Sequence, residues 1–211
     1  DKALVFRTRN PDKYKIIPKH KIIERDDGGY DVAVYWGLDE TRVLKNLGVK
    51  DVPSPITRRY DWPGRYKPMA HQMETASFLT LHRRAFCFND PGTGKTLASL
   101  WAADYLMKLG FVRRVLILCP LSIDGLNLIA DEIIADGRFD LVIVDEANAY
   151  KTVTTKRWKT LKSIIGPQTH LWMMTGTPAS QSPVDAYGLA KLVNPDGVPK
   201  FYTAWRDAVM N

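Results

Sequence analysis

The stretch Asn89-Asp90-Pro91-Gly92-Thr93-Gly94-Lys95-Thr96 has the residue types that hold a chain of phosphates. Across Pro91, Gly92, Thr93 and Gly94 the glycines let backbone N–H groups turn inward and cradle phosphate oxygens. Lys95 then meets the β- and γ-phosphates of a nucleoside triphosphate as a point charge, and the Thr96 hydroxyl can hold Mg²⁺. A helix starting at Lys95 adds the partial positive charge of its N-terminus. The pattern GxxxxGK[ST] departs at its first position, where Asn89 stands for glycine; asparagine tolerates left-handed backbone better than most residues. A second group lies downstream in Leu141-Val142-Ile143-Val144-Asp145-Glu146-Ala147-Asn148, an apolar run ending in two carboxylates. Asp145 can coordinate Mg²⁺ through water, and Glu146 can polarise a water for in-line attack on a γ-phosphate. Each group alone has a plain structural explanation, a glycine turn ahead of a lysine or acidic residues complementing a helix dipole. Together they point to nucleotide chemistry.

Positioning these groups requires an alternation of strands and helices. The pattern predicts a helix from Met69 to about Leu81, a strand over 85–88, and a helix over 95–109 stopped by Gly110. A strand at 115–119, a helix around 126–135, and a strand at 141–145 follow. A helix near 155–165, a strand at 170–174 and a helix from Pro183 complete the series, the last with a capping box on Ser182-Pro183-Val184-Asp185. Continuous apolar runs such as Val115-Leu116-Ile117-Leu118-Cys119 suit buried parallel strands, so the fold class is α/β, a parallel sheet with helices on both faces. Both motifs then emerge at the carboxyl edge of that sheet.

Residues 1–50 lack this alternation and read as a small α+β accessory module. Strands are expected at 3–7 and 14–17, a β-hairpin joins 21–25 to 30–36 through Asp26-Asp27-Gly28-Gly29, and Asp39 caps a short helix ending near Leu47. Residues 51–68 carry four prolines with Arg58, Arg59, Arg65 and Lys67, and read as an extended basic connector to the lobe at 69–211. Its Tyr60, Trp62 and Tyr66 can stack on bases or pin the connector to the protein surface; the second reading is preferred. The net charge is +7, and residues 1–68 hold fifteen Lys/Arg against ten Asp/Glu, a balance that favours a polyanionic partner. Hydrophobic content is 45% and charged content 25%, as in globular proteins, and no apolar run approaches the ~20 residues of a membrane span. Cys87 and Cys119 read as buried core residues of a reducing compartment.

In order, these motifs resemble superfamily 2 helicase-type motors, most closely the Swi/Snf-like branch, over about 66–211. Lys67-Pro68-Met69-Ala70-His71-Gln72 is similar to the segment in which a glutamine reads adenine, which maps to Gln72. Cys119-Pro120-Leu121-Ser122 is similar to the motif lying along a DNA strand, so Pro120, Leu121 and Ser122 join Arg58, Arg59 and Arg65 as DNA-contact candidates. Asp145 to Asn148 stands where the family has DEAH, with Asn148 in place of histidine, and residues 151–161 resemble its basic continuation. Thr175-Gly176-Thr177-Pro178 is similar to the segment coupling the ATP site to nucleic acid, and Asn194-Pro195 with Phe201 and Trp205 to the end of the first motor lobe.

The resemblance implies a RecA-like lobe using ATP and Mg²⁺ on duplex or single-stranded DNA, with Lys95, Asp145 and Glu146 catalytic. It also implies a second RecA-like lobe, carrying an arginine finger, that is missing from these residues, and a segment missing near 123–124. An intracellular location follows, in the cytoplasm or nucleoid of a bacterial or phage-infected cell or in a nucleus. Two alternatives stay open: an RNA helicase lobe, and a nucleotide-dependent DNA-binding or annealing module without turnover of its own.

Overall fold

The computed structural model describes residues 2–119, 139–177 and 182–210. Two compact units divide the chain, residues 1–61 and 62–211, so the boundary falls within the expected connector. Pro120, Leu121 and Ser122, Pro178, the junction near 123–124 and the expected helix at 126–135 lie outside the described residues.

In the first unit β1 (Ala3–Thr8), β2 (His20–Glu24) and β3 (Tyr30–Tyr35) form an antiparallel sheet of order β1-β3-β2. The register pairs Phe6 with Val32 and Val32 with Ile22, placing alternate apolar residues on one face. Val32, Val34, Tyr14, Ile17 and Leu44 form its core, the last from α1 (Leu38–Asn46). The hairpin turn is as expected, with Gly28 at φ +74° and Arg25 and Gly29 closing it through backbone bonds.

Three local expectations fail here. Residues 14–17 are not a strand: Asp12–Tyr14 is a 3₁₀ turn between Pro11 and Pro18, and it buries Tyr14 and Ile17 while leaving Ile16 exposed. The spacing of three is the signature of a helical turn, and proline denies a strand its ladder donors. Asp39 does not cap α1. Gly37 holds the N-cap position with no side-chain bond, and Asp39 sits inside the first turn, where it pairs with Arg42 at 3.5 Å. The connector is not wholly extended either, because α2 (Ile56–Arg59) starts after Pro55, which is preset for a helix N-terminus.

The second unit is built on α3 (Ala70–Leu81), β4 (Arg84–Cys87), α4 (Lys95–Lys108), β5 (Val115–Leu118) and β6 (Leu141–Val144), followed by α5 (Lys156–Ile164), β7 (His170–Met174), α6 (Tyr187–Val193) and α7 (Tyr202–Met210). The four strands are parallel in the order β4-β7-β6-β5. One face packs Val142, Val144, Leu171 and Met173 against Trp158 and Leu161 of α5 and Leu189 and Leu192 of α6. Towards the other face, Trp172 donates to the His82 carbonyl at the end of α3, which packs on α4.

Every residue of β6 and β7 is buried, and each fully buried aliphatic side chain contributes roughly 1.5–3 kcal/mol. The frame holding the loops is therefore stiff. Gly110 ends α4 at φ +78° as its stop signal requires. Thr155 caps α5 by accepting from the Trp158 N–H, but Ser182 makes no capping bond, and a 3₁₀ turn, Pro183–Ala186, precedes α6.

Candidate nucleotide-binding site

Because the strands are parallel, the loops after β4, β6 and β7 leave the same edge of the sheet, and the expected chemistry gathers there. Between β4 and α4, Gly92 and Gly94 have φ of +79° and +76°, a backbone that L side chains rarely adopt. Asn89 is not among the positive-φ residues, so left-handed tolerance is not what admits it. Its side-chain N–H instead donates to Thr75 Oγ1 of α3 at 2.7 Å.

Lys95 is buried, and its ammonium donates to the Asp90 carbonyl at 3.2 Å, inside the turn that would receive phosphate. Thr96 donates to Asp145 Oδ2 at 2.7 Å across 49 residues of sequence. A hydroxyl and a carboxylate so close form an oxygen pair suited to Mg²⁺, which takes few protein ligands and keeps phosphate oxygens and water for the rest. Among the described residues no group of three or more His, Cys, Asp and Glu could hold a metal by itself.

Glu146 is exposed beside Asp145, at φ +53°, and its N–H donates to Asp145 Oδ1. A non-glycine residue in that region is strained, and strain of this kind concentrates at functional sites. It carries the chain from β6 into the 3₁₀ turn Ala147–Tyr150. Asn148, in the place of a histidine, donates from Nδ2 to Thr177 Oγ1 at 2.5 Å. Thr177 is held in turn by its own N–H donating to the buried Thr175 hydroxyl. A Cβ on Gly176 would lie 2.9 Å from Pro91 Cδ, so the loop after β7 rests directly on the phosphate loop.

Gln72 is buried against the same loop. Its Oε1 accepts from the Met69 N–H at 3.0 Å, and its Nε2 donates to the Thr93 carbonyl at 3.2 Å. A Cβ on Gly94 would run into Gln72 Nε2. His71 Nε2 reaches the same carbonyl at 3.0 Å. The sequence reading did not single out His71, Thr75 or the side chain of Asn89 as partners; the one signal was the missing first glycine.

The basic candidates separate. Arg58 and Arg65 are exposed, with Arg65 over the Tyr66 ring, whereas Arg59 lies over the Tyr35 and Trp36 rings and donates to the Tyr35 hydroxyl. The connector aromatics divide likewise. Tyr60 is buried and Trp62 packs edge-on against Trp101, while Tyr66 is 73% exposed. Of the cysteines, Cys87 is buried, which pushes its thiol pKa up, but Cys119 is exposed and not the core residue expected.

No protein-family model matches the chain. Over 169 residues it is 22% identical to the uncharacterized ATP-dependent helicase YqhH of Bacillus subtilis (strain 168), a match covering 62% of this chain and 30% of that protein. The SWI2/SNF2 ATPase core of Sulfolobus solfataricus in complex with dsDNA superposes with a TM-score of 0.54 and 17% identity, over 67% of this chain and 38% of that one. The same core domain described without DNA gives 0.50 and 17%, over 72% and 40%. The chain thus spans less than half the length of each of these relatives. The likeness establishes the fold alone: a RecA-like parallel sheet with helices on both faces, the fold expected from the motifs.

Proposed function

We propose that this chain is the ATP-binding lobe of a DNA-dependent ATPase, of the helicase-like kind that translocates on or remodels DNA. The observation that carries this reading is the Thr96–Asp145 contact, which joins the phosphate loop to the carboxylate loop where a nucleotide-bound cation would sit. The curated relative is named an ATP-dependent helicase, and one of the structural relatives is a SWI2/SNF2 ATPase core holding dsDNA. Both names support the reading for this chain.

In this reading Lys95 and the Thr93 N–H leave the Asp90 carbonyl, Lys95 for the β- and γ-phosphates, and the N–H groups of 92–96 line the phosphate oxygens. Thr96 and Asp145 hold Mg²⁺, which when bound neutralises charge building on the phosphate chain. Glu146 orients the attacking water and takes its proton. Gln72 spends one N–H and one oxygen lone pair on the protein and keeps one of each for the adenine edge. Asn148 and Thr177 pass the state of this site to the loop 175–177, and in this unit DNA is met by Pro120, Leu121 and Ser122 with Arg65. Full turnover requires a second lobe supplying an arginine finger, a contribution of roughly 10³–10⁵ in rate. Residues 1–211 alone then bind ATP and hydrolyse it slowly.

The deciding experiment is ATPase activity of the full-length protein with duplex DNA, single-stranded DNA and RNA as competing activators. Stimulation by DNA over RNA is expected, and Lys95→Ala abolishes it. Preferential stimulation by RNA would move the protein to the RNA helicases. ATP binding with no stimulated turnover would make it a nucleotide-dependent binding or annealing module.

A further inference from the structure

The phosphate loop is tied at both ends to a single turn of α3. At its start, Asn89 Nδ2 donates to Thr75 Oγ1 at 2.7 Å, and the Thr75 hydroxyl donates its own proton to the His71 carbonyl at 2.8 Å. At its end, the Thr93 carbonyl accepts from His71 Nε2 at 3.0 Å and from Gln72 Nε2 at 3.2 Å, which uses both oxygen lone pairs. The histidine ring therefore carries a proton on Nε2. The peptide joining Thr93 to Gly94 is planar and trans, so a carbonyl drawn towards α3 turns the Gly94 N–H the opposite way, out of reach of the helix. The arrangement also accounts for the missing first glycine. Position 89 has no left-handed backbone to accommodate, and a glycine there would have no side chain to reach Thr75.

We propose that Thr75, Asn89 and His71 are positioning residues that hold the loop in its phosphate-receiving form, so that affinity for the phosphate chain is set from α3. The proposal rests on the phosphate-loop reading above and names the residues that preorganise it. Preorganisation lowers the cost of ordering the loop on binding, and that gain does not depend on the base.

Calorimetric titration of the 211-residue chain with Mg²⁺–tripolyphosphate, and in parallel with Mg²⁺–ATP, tests it. Asn89→Ala and Thr75→Val should each weaken both ligands by about 3–10-fold, the range of one hydrogen bond. The double variant should be no weaker than either single one, because both remove the same bond. Thr75→Ser, which keeps the hydroxyl, should restore affinity. His71→Ala should weaken both ligands, and His71→Gln, whose Nε2 can occupy the place of the ring nitrogen, should restore them. A merely structural role would not give rescue by the matched donor. Should Thr75→Val fail to fold, half-buried Asn89→Ala and exposed His71→Ala carry the test.

Native affinities in Asn89→Ala and His71→Ala, additive losses in the double variant, or losses confined to ATP would each overturn the clamp. A native chain that binds tripolyphosphate no better than Lys95→Ala would instead overturn the phosphate-loop reading, and the clamp with it.

Discussion

Along β1, β2 and β3 burial alternates or is partial, whereas β6 and β7 are buried at every residue. The antiparallel sheet keeps a face for charge: Arg7 and Arg25 both pair with Asp31 there, at 3.7 and 3.2 Å. Such surface pairs, one exposed at Arg7 and one half-buried, contribute about 0–1 kcal/mol each, so that face stays open to change at little cost in stability. The centre of the parallel sheet, β6 and β7, has no equivalent positions. Whatever chemistry it supports must lie beyond the strand ends, and Lys95, Thr96, Asp145, Glu146 and Thr177 all lie there. A sheet whose central strands are fully covered thus separates the residues that hold the fold from those that react.

The sharpest test of that separation is Glu146→Gln. In the full-length protein it should keep ATP bound and lower turnover by about 10²–10⁴-fold, the usual cost of losing a general base. Because the side chain is exposed past the end of β6, the unfolding free energy should stay within about 0.5 kcal/mol of native. Near-native turnover would mean that another group activates the water. A large loss of stability would mean that the strand end belongs to the frame after all.

Threonine substitution compares the sheets directly, since threonine matches valine in shape with a hydroxyl in place of one methyl. Val142→Thr and its neighbour Ile143→Thr should both be destabilising, Val142→Thr by about 1–3 kcal/mol for a buried hydroxyl without a partner and Ile143→Thr by more, since it also loses a methyl group. In the antiparallel sheet Val34→Thr should cost as much as Val142→Thr, and Val5→Thr, 65% exposed, should fall within about 0.5 kcal/mol. Denaturant unfolding reads all four. Equal costs at Val5 and Val34 would show that the outer face of the first sheet is covered.

The same contrast explains what the sequence revealed. Unbroken apolar runs made β5, β6 and β7 legible, and with them the edge that gathers the site, although only β6 and β7 are buried at every residue. The glycines at 92 and 94 and the stop at Gly110 were legible because each needs a backbone that few other residues adopt. Tyr14 and Ile17 misled because a short apolar stretch was read as a strand although its spacing of three and the flanking Pro11 and Pro18 favour a turn, the form in which both pack with Val32 and Leu44. The cross-links of the site were not legible at all. Asn89 with Thr75, Asn148 with Thr177 and Gly176 on Pro91 join residues from 14 to 85 positions apart, and no local pattern announces such pairs. Asn148 shows the consequence. It stands where the family has histidine, and its amide makes the link to the loop after β7.

That link gives a smaller effect. Asn148→Ala in the full-length protein should reduce stimulation of ATP hydrolysis by nucleic acid about 3–10-fold, the worth of one hydrogen bond. Thr177→Val should do the same, and the double variant should lose no more than either. Additive losses would show that the two residues act on stimulation separately.

The smallest expected effect lies inside the frame. Tyr150 is fully buried in the core between the sheet, α5 and α6, and among the described residues its hydroxyl has no hydrogen-bond partner. Burial pushes its pKa up to about 12 from an ordinary 10. Tyr150→Phe removes a polar atom that gains nothing from the fold, so near pH 7 stability should be unchanged or higher by up to about 1 kcal/mol. The pH dependence has a definite sign. Below pH 10 tyrosine is protonated in both states and contributes no slope. Between pH 10 and 12 the unfolded chain has released the proton while the folded chain retains it, so the native protein loses stability as pH rises through that window. The phenylalanine variant lacks this contribution, and other lysines, tyrosines and Cys87 titrate alike in both proteins and cancel in the difference. The gap between the two unfolding free energies should therefore be flat up to pH 10 and widen in favour of phenylalanine towards pH 12. A gap that stays flat throughout would mean that the hydroxyl reaches water or a partner, and that this part of the parallel frame is not sealed.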